Sequence, residues 1–205
     1  MRDIWESAFT EKGLMWGLEP AKSAIQAKDY FVGMAVKDVL IPGVGYGRNA
    51  KAFLEHGMTV TGIEISETAI ALARSELGLD IHIHHGSVVD MPYDHRSYDG
   101  VFCYGLIYLL DPAGRAKLIR DCYEQLTPGG CMIFTVISKT APMFGRGARL
   151  GDDWYEPFPG VKMYFYDADS VKREFGPYGL LEYREIDEPG AGGALPFINV
   201  VCKKG

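Results

Sequence analysis

Apolar and polar positions change rhythm along this chain in a regular order. Lys37–Pro42 is an apolar run too short for a helix and reads as a buried strand. The segment after it repeats at helical spacing, with Ala50, Phe53 and Leu54 on one face and Gly57 just beyond as a C-cap. Met58–Ile65 is a second strand, and Ser66 with Glu67 opens a second helix running to about Leu77. Asp80–His84, Ser97–Tyr104 and Cys131–Ile137 supply a third, fourth and fifth strand, with a helix over Arg115–Leu126 before the last. Strands alternating with helices at this spacing predict a parallel sheet covered by helices on both faces.

The two ends break the rhythm. Residues 1–36 read as an irregular aromatic cap carrying Trp5, Phe9 and Trp16, followed by a helix over about Pro20–Met34. After a helix at Asp167–Phe175, the strands Leu180–Ile186 and Phe197–Cys202 are joined by a Gly-rich stretch, Glu188 to Gly193. That connection is too short for a parallel crossover, so the pair is expected to be an antiparallel hairpin at the sheet edge. The fold class predicted is α/β: one Rossmann-like, doubly wound domain over residues 1–205, its seven-stranded sheet mostly parallel. The stretch from Lys139 to about residue 165 is long, rich in Gly and Pro, and carries Met143, Phe144, Arg146, Arg149, Trp154, Tyr155 and Phe158. Loops of that length inside a compact domain are functional lids or disordered, and the aromatic content favours an active-site lid.

Composition narrows the partners. Hydrophobic residues make up 47% of the 205-residue chain and charged residues 23%, values of a globular protein with a full core. The net charge of −6 disfavours a nucleic-acid partner, which calls for a basic stripe. Cys103, Cys122, Cys131 and Cys202 are far apart and form no metal-ligand pattern, so no metal is expected and reduced core thiols are. His82 and His84 share one face of the third strand, where a solvated edge outweighs a metal pair. His56 stands at a helix end, where a cation suits the dipole. No apolar stretch is long enough to span a bilayer and the start lacks a signal-peptide core, so no membrane partner and a cytoplasmic location are expected.

The densest chemistry lies between the first two strands. Gly43, Gly45 and Gly47 permit a tight turn and let a ligand lie against bare backbone, where a Cβ would block it. The helix that follows offers free N–H groups to a ligand's negative end. Glu64 closes the second strand 21 residues after Gly43, where doubly wound folds place the carboxylate that accepts two ribose hydroxyls. A dinucleotide loop spaces its last two glycines three residues apart, but Arg48 holds that place here and the loop is GxGxG. The phosphate-binding GxxxxGK[ST] loop is absent. A nucleoside without pyrophosphate fits better than NAD or ATP.

From Val39 to Arg74, VLIPGVGYGRNAKAFLEHGMTVTGIEISETAIALAR resembles the first two motifs of class I S-adenosylmethionine-dependent methyltransferases. GSVVDMPY, YDGVFCYGLIYLLDP and LTPGGCMIFTVIS resemble that family's later motifs, in order, up to Ser138. The Ile-Pro-Gly start, VTGIEIS and the early Trp16 are most similar to the thiopurine, thiol and tellurite-resistance branch. The resemblance implies S-adenosyl-L-methionine as cofactor. Gly43, Gly45 and Gly47 would lie under its methionine and ribose parts, Glu64 on the ribose hydroxyls, and Ile65 on the adenine ring. Ser87 and Val88 would contact the adenine edge, with Tyr104 and Trp16 also at the cofactor. Two positions depart from the family: Ile41 stands where many members carry an acid, and Ser87 where many carry Asp.

Methyl transfer from a sulfonium is an in-line displacement, and alignment alone can supply roughly 7–11 kcal/mol of the barrier, so no base is obligatory. No catalytic residue stands out. Tyr104, Tyr108 and Asp111 follow the fourth strand at the carboxyl edge, where ligands sit in this architecture. Tyr108 with Arg149 and Trp154 of the lid are the candidate acceptor contacts, and Trp5 and Trp16 would help to close the pocket. Cys103-Tyr104-Gly105-Leu106 replaces the Asn-Pro-Pro-aromatic signature of adenine and glutamine methylation, which with the acidic charge favours a small-molecule acceptor. A cofactor-binding sensor without turnover is the alternative, and a nicotinamide-dependent reductase is disfavoured by the loop spacing.

Overall fold

The computed structural model describes residues 2–190 and 193–205. Ten strands and six helices follow in the order α1 (Arg2–Lys12), α2 (Lys22–Gly33), β1 (Asp38–Pro42), α3 (Arg48–Leu54), β2 (Thr59–Glu64), α4 (Glu67–Ser75), β3 (His82–His85), β4 (Tyr98–Tyr104), α5 (Pro112–Glu124), β5 (Leu126–Ile137), β6 (Ala148–Gly151), β7 (Trp154–Phe158), β8 (Val161–Tyr164), α6 (Ala168–Phe175), β9 (Leu180–Gly190) and β10 (Gly193–Lys203). Seven strands form one sheet in the order β3-β2-β1-β4-β5-β10-β9. Neighbours from β3 to β5 are parallel, whereas β10 runs antiparallel to both β5 and β9. This is the predicted doubly wound sheet with its terminal hairpin, whose turn at 191–192 lies outside the described residues.

Each sheet face carries its own core. On one side α2 and α3 bury Phe31 and Phe53 against Phe102 of β4, with ring centroids 5.6 and 5.3 Å apart. Fully burying one such ring stabilises the fold by about 1.5–3 kcal/mol. On the other side α5 and α6 cover Val101, Cys103 and Phe134, and Phe175 packs edge-on to Phe134. All four cysteines are buried and unpaired. Within this second core Arg115 of α5 bonds the Glu174 carboxylate at 3.1 Å and lies over the Tyr164 ring at 3.9 Å.

Three segments differ from the sequence reading. The N-terminal segment is not irregular but a helix, α1, because Ile4, Trp5, Ala8 and Phe9 recur at helical spacing and Phe9 is buried. The segment expected to be a lid loop is largely a sheet: Ala148–Tyr164 forms a separate antiparallel sheet in the order β6-β7-β8. Its strands are only four or five residues long and interrupted by register shifts, so they carry no clean alternation. Finally, α5 starts at Pro112, earlier than expected, with Asp111 as its N-cap accepting from Gly114 N at 2.7 Å. Asp111 therefore caps a helix, and Pro112 at the first helical position is the signal for it.

Candidate functional site

The parallel register of β1 with β2 ends at Pro42 opposite Ile63, and the chain then turns back on itself. Gly43 and Val44 donate to the Ile63 carbonyl at 2.8 and 3.0 Å, folding the glycine loop over the tip of β2. The loop requires φ of +67° at Gly43, +58° at Gly45 and +83° at Gly47, the left-handed region open to glycine. Glu64 locks this turn. Its Oε2 accepts from Gly45 N at 2.8 Å, while Oε1 accepts from Ile65 N at 2.8 Å and Ser66 N at 2.9 Å. Three of about four lone-pair sites on the carboxylate are thus used, and one remains for an incoming hydroxyl. Glu64 is only 6% exposed, and burial raises its carboxyl above the usual range against the pull of the three N–H donors.

From Ile65, the residue after Glu64, a cleft of about 270 Å³ extends past Arg2, His85, Gly86, Ser87 and Asp90. Gly86 N donates to the Glu64 carbonyl at 2.9 Å, so the end of β3 and the tip of β2 form one wall. Gly43, Gly45, Glu64, Ile65 and Ser87 therefore converge on the carboxyl edge of the sheet, as the sequence leads one to expect. Bare backbone, a carboxylate with a spare lone pair and a cleft beside it suit an adenosyl group, the nucleoside part of S-adenosylmethionine.

Other expected residues are placed differently. Gly47 faces inward: a side chain there would run into Leu79 and reach Ala73, so this glycine serves helix–sheet packing. Val88 is buried in the same core as Leu109 and Met91. Trp16 stacks on Tyr46 of the glycine loop, with centroids 6.1 Å apart and a 19° interplanar angle. Tyr104 turns toward Phe102 and Phe197 and lies 5.5 Å from the Arg48 guanidinium. Burial and the nearby Glu188 push its phenol up to about 12 against the pull of Arg48. Tyr108 is buried against Phe197, and burial raises its phenol also. Both phenols stay protonated at neutral pH.

In the small sheet, Arg149 is engaged on its own strand turn, bonding Asp152 Oδ1 at 2.6 Å and the Gly151 carbonyl at 3.3 Å. Trp154 pairs in register with Tyr164 and so shares its face of the sheet. The indole Nε1 of Trp154 is buried with no hydrogen-bond partner among the described residues.

Sequence reasoning gave an aromatic N-terminal cap but not the helix that carries Phe9 over the cradle, nor Leu106. Phe9 of α1 stands 3.8 Å from where a side chain on Gly45 would begin, and Leu106 Cδ2 closes on Gly43 in the same way at 2.9 Å. Tyr46, inside the loop itself, is 1% exposed and receives Trp16 N while donating to the Gly17 carbonyl at 2.7 Å. The helical spacing of Ile4, Trp5, Ala8 and Phe9 was the signal available for this cover. The histidines lie apart from it. His84 Nε2 meets Asp94 Oδ2 at 3.1 Å on the edge strand β3, and His56 Nδ1 reaches the Ala52 carbonyl at 2.9 Å in the last turn of α3. No helix among the described residues is long and apolar enough to cross a membrane.

Comparison with known proteins bears on the same segment. Residues 39–130 match the family model described as a methyltransferase domain. A ubiquinone biosynthesis O-methyltransferase from Pseudomonas savastanoi is 34% identical over 116 residues, 54% of this chain and 49% of that protein. The tRNA N(3)-methylcytidine methyltransferase Mettl2 of Drosophila melanogaster is 23% identical over 189 residues, 87% of this chain and 56% of that one. The chain thus spans about half the length of these curated relatives. Among solved structures, the 1,6-didemethyltoxoflavin-N1-methyltransferase of Burkholderia thailandensis, with bound S-adenosylhomocysteine, superposes with a TM-score of 0.75 at 17% identity, covering 99% of this chain and 86% of that one. TehB of Haemophilus influenzae superposes with a TM-score of 0.68 at 16% identity, covering 98% and 67%. The sheet order, the glycine loop locked to Glu64 and the match over residues 39–130 agree with the expected likeness to class I S-adenosylmethionine-dependent methyltransferases, and residues 39–130 form a methyltransferase domain.

Proposed function

We propose that this chain transfers a methyl group from S-adenosylmethionine to a small-molecule acceptor. The observation that carries the reading is the Glu64 carboxylate bonded to Gly45 N at 2.8 Å beside an open cleft at the sheet's carboxyl edge. In this reading the backbone at Gly43 and Gly45 lies against the cofactor, Gly47 shapes the loop, and Glu64 takes a ribose hydroxyl on its remaining lone pair. Ile65 packs on the adenine, with Ser87 at its edge and Val88 behind it, while Trp16 and Tyr104 close the methionine side. When bound, the cofactor supplies an electrophilic methyl on a sulfonium. The chain's task is then to hold an acceptor in line and exclude water.

The roof over the carboxyl edge suits that task. The small sheet contacts the turn after β4 through β8, and Phe144, Tyr155 and Phe165 pack edge to face within it. Tyr108, Arg149 and Trp154 are the proposed acceptor contacts. Support is best for Trp154, since a buried donor without a partner costs about 1–3 kcal/mol and an acceptor lone pair would relieve it. Arg149 already has a local partner in Asp152. The acidic net charge and the names of the toxoflavin and ubiquinone-pathway relatives support a small molecule; the tRNA-modifying relative makes RNA the rival.

Release of S-adenosylhomocysteine is to be measured against phenols, thiols, amines, tellurite and an RNA oligonucleotide. Turnover with one of the small molecules is the expected result. Turnover with RNA alone rejects the small-molecule reading, and cofactor binding without turnover on any acceptor favours a sensor. Trp154→Phe keeps the ring and removes the donor. It should raise the acceptor KM roughly tenfold, the size of a lost hydrogen bond, with cofactor affinity unchanged. An unaltered KM removes Trp154 from the acceptor site.

A further inference from the structure

The N-terminal helix is bound across the cradle by a few polar contacts to the start of α4: Arg2 to Glu67, Thr10 to Thr68 and, with the most hydrogen bonds, Glu6. Glu6 of α1 accepts from Ser66 Oγ at 2.7 Å, from Thr68 N at 3.4 Å and from the Thr68 hydroxyl. Those hydroxyls hold its carboxyl below the usual range. Ser66 is also the N-cap of α4, and its backbone N–H is one of the three donors to Glu64. Glu6 therefore grips the same Glu64-Ile65-Ser66 turn that forms one wall of the nucleoside cleft.

Around this grip α1 reaches every part of the site. Arg2 lines the cleft and pairs with Glu67 at 3.4 Å. Phe9 covers Gly45, and Phe9 packs edge-on to both Trp16 and Tyr46, at 5.7 and 6.1 Å. Ile4 Cδ1 lies 3.3 Å from where a side chain on Gly160 would begin, so the helix also touches the turn between β7 and β8. A group lying on Gly45 would pack against the Phe9 ring, whose Cζ stands 3.8 Å from a side-chain position there, an ordinary contact distance.

We propose that Glu6 is a latch: its bonds to Ser66 and Thr68 hold α1 as a gate over the cofactor cradle, and cofactor exchange requires those bonds to open. The proposal rests on the reading of the cradle as an S-adenosylmethionine site. The helix suits a gate. It is 11 residues long, most of it is exposed, and it buries a single residue, Phe9. Segments with so little burial open locally at far lower cost than the core. Through Ile4 the gate meets the acceptor roof, so opening α1 also frees one side of that sheet.

Stopped-flow fluorescence, read from the tryptophans, follows S-adenosylhomocysteine binding to the full chain and to the Glu6→Ala and Thr68→Val variants. Loss of the charge-assisted bonds of Glu6 should raise both association and dissociation rates roughly fivefold in the first variant, and less in the second, which loses one hydroxyl. Amide exchange over residues 2–12 should speed up in both, while β1 stays protected. Should Glu6→Ala lose protection in β1 and unfold, Glu6→Gln, which keeps the side chain's length and removes its charge, decides in its place, since Thr68→Val also removes the contact with Thr10. Rates unchanged or slowed, with α1 exchange unaltered, overturn the latch. Failure of the unmutated chain to bind the ligand overturns the cofactor reading instead.

Discussion

The cradle and the roof are built on opposite plans. In the cradle, backbone does the work: three glycines, a parallel register and one carboxylate satisfied by three N–H groups fix the loop. In the roof, side chains do it: α1 and the small sheet are held by aromatic edges, by Glu6, and by Lys139 bridging Asp153 at 2.8 Å and Asp167. A backbone-built site tolerates almost no variation in the residues that shape it. A side-chain-built one can be rebuilt for a different acceptor on the same frame. The division suits a fold in which cofactor chemistry is shared and acceptor choice is local.

The largest effect expected from breaking this contrast lies in the cradle. Gly43→Val forces a β-branched residue into φ of +67° and drives its Cβ against Leu106. The strain costs about 1–3 kcal/mol, and relieving the clash with Leu106 displaces the loop against which the cofactor should lie. Thermal denaturation should register the first and calorimetry with S-adenosylhomocysteine the second, as a loss of binding. Glu64→Ala comes close behind, since it leaves Gly45, Ile65 and Ser66 N–H without their acceptor. At roughly 1–3 kcal/mol for each donor left unsatisfied, stability should fall measurably, with affinity down at least a few-fold; Glu64→Gln should keep part of both. Retention of full affinity in Glu64→Ala would remove the carboxylate from the site.

That asymmetry also explains what could be read from the sequence. The alternation from Lys37 to Ile137, the glycine loop and Glu64 were legible because each follows from backbone geometry with a fixed spacing. The roof was not. β7 holds Pro157 and lacks alternation, Asp153 adopts φ of +58°, and glycines 145, 147 and 160 punctuate the stretch, so propensity pointed to loop while tertiary packing made a sheet. Gly47 shows the limit from the other side. Its place in the motif suggested a ligand contact, but its open face meets Leu79, which no local pattern reveals. Asp111 likewise joined a cluster of polar residues after β4, yet Asp-Pro at a helix start was the better guide.

A smaller effect, of opposite sign in the two regions, is expected on acidification. Hydrogen bonds from Lys139 and Ser170 hold the Asp167 carboxyl far below its usual range, so its contribution is present above the ordinary Asp value near 4 and is lost as pH falls below it. Lys139 is raised, so its share is full below its ordinary value and fades only in strong alkali. Glu64 is raised by burial, so protonation favours the folded state and its own contribution grows as pH falls. Amide exchange over 148–164, corrected for intrinsic rates, should therefore accelerate below about pH 4 while residues 38–42 hold. Equal acceleration in both would show that the roof is not anchored independently through Lys139.

The smallest effect should come from Arg149, and it separates acceptor binding from mere surface charge. Its side chain is 65% exposed and its partner Asp152 is 95% exposed, a pairing worth about 0–1 kcal/mol. Arg149→Ala should consequently leave the melting temperature almost unmoved, and cofactor affinity, set in the cradle, should not respond at all. If the guanidinium leaves Asp152 to meet an acidic acceptor, KM for that acceptor should rise and fall with its charge, and added salt should mimic the substitution. A KM indifferent to both salt and the substitution would confine Arg149 to the turn it already braces, leaving acceptor recognition to the buried indole of Trp154 and the phenol of Tyr108.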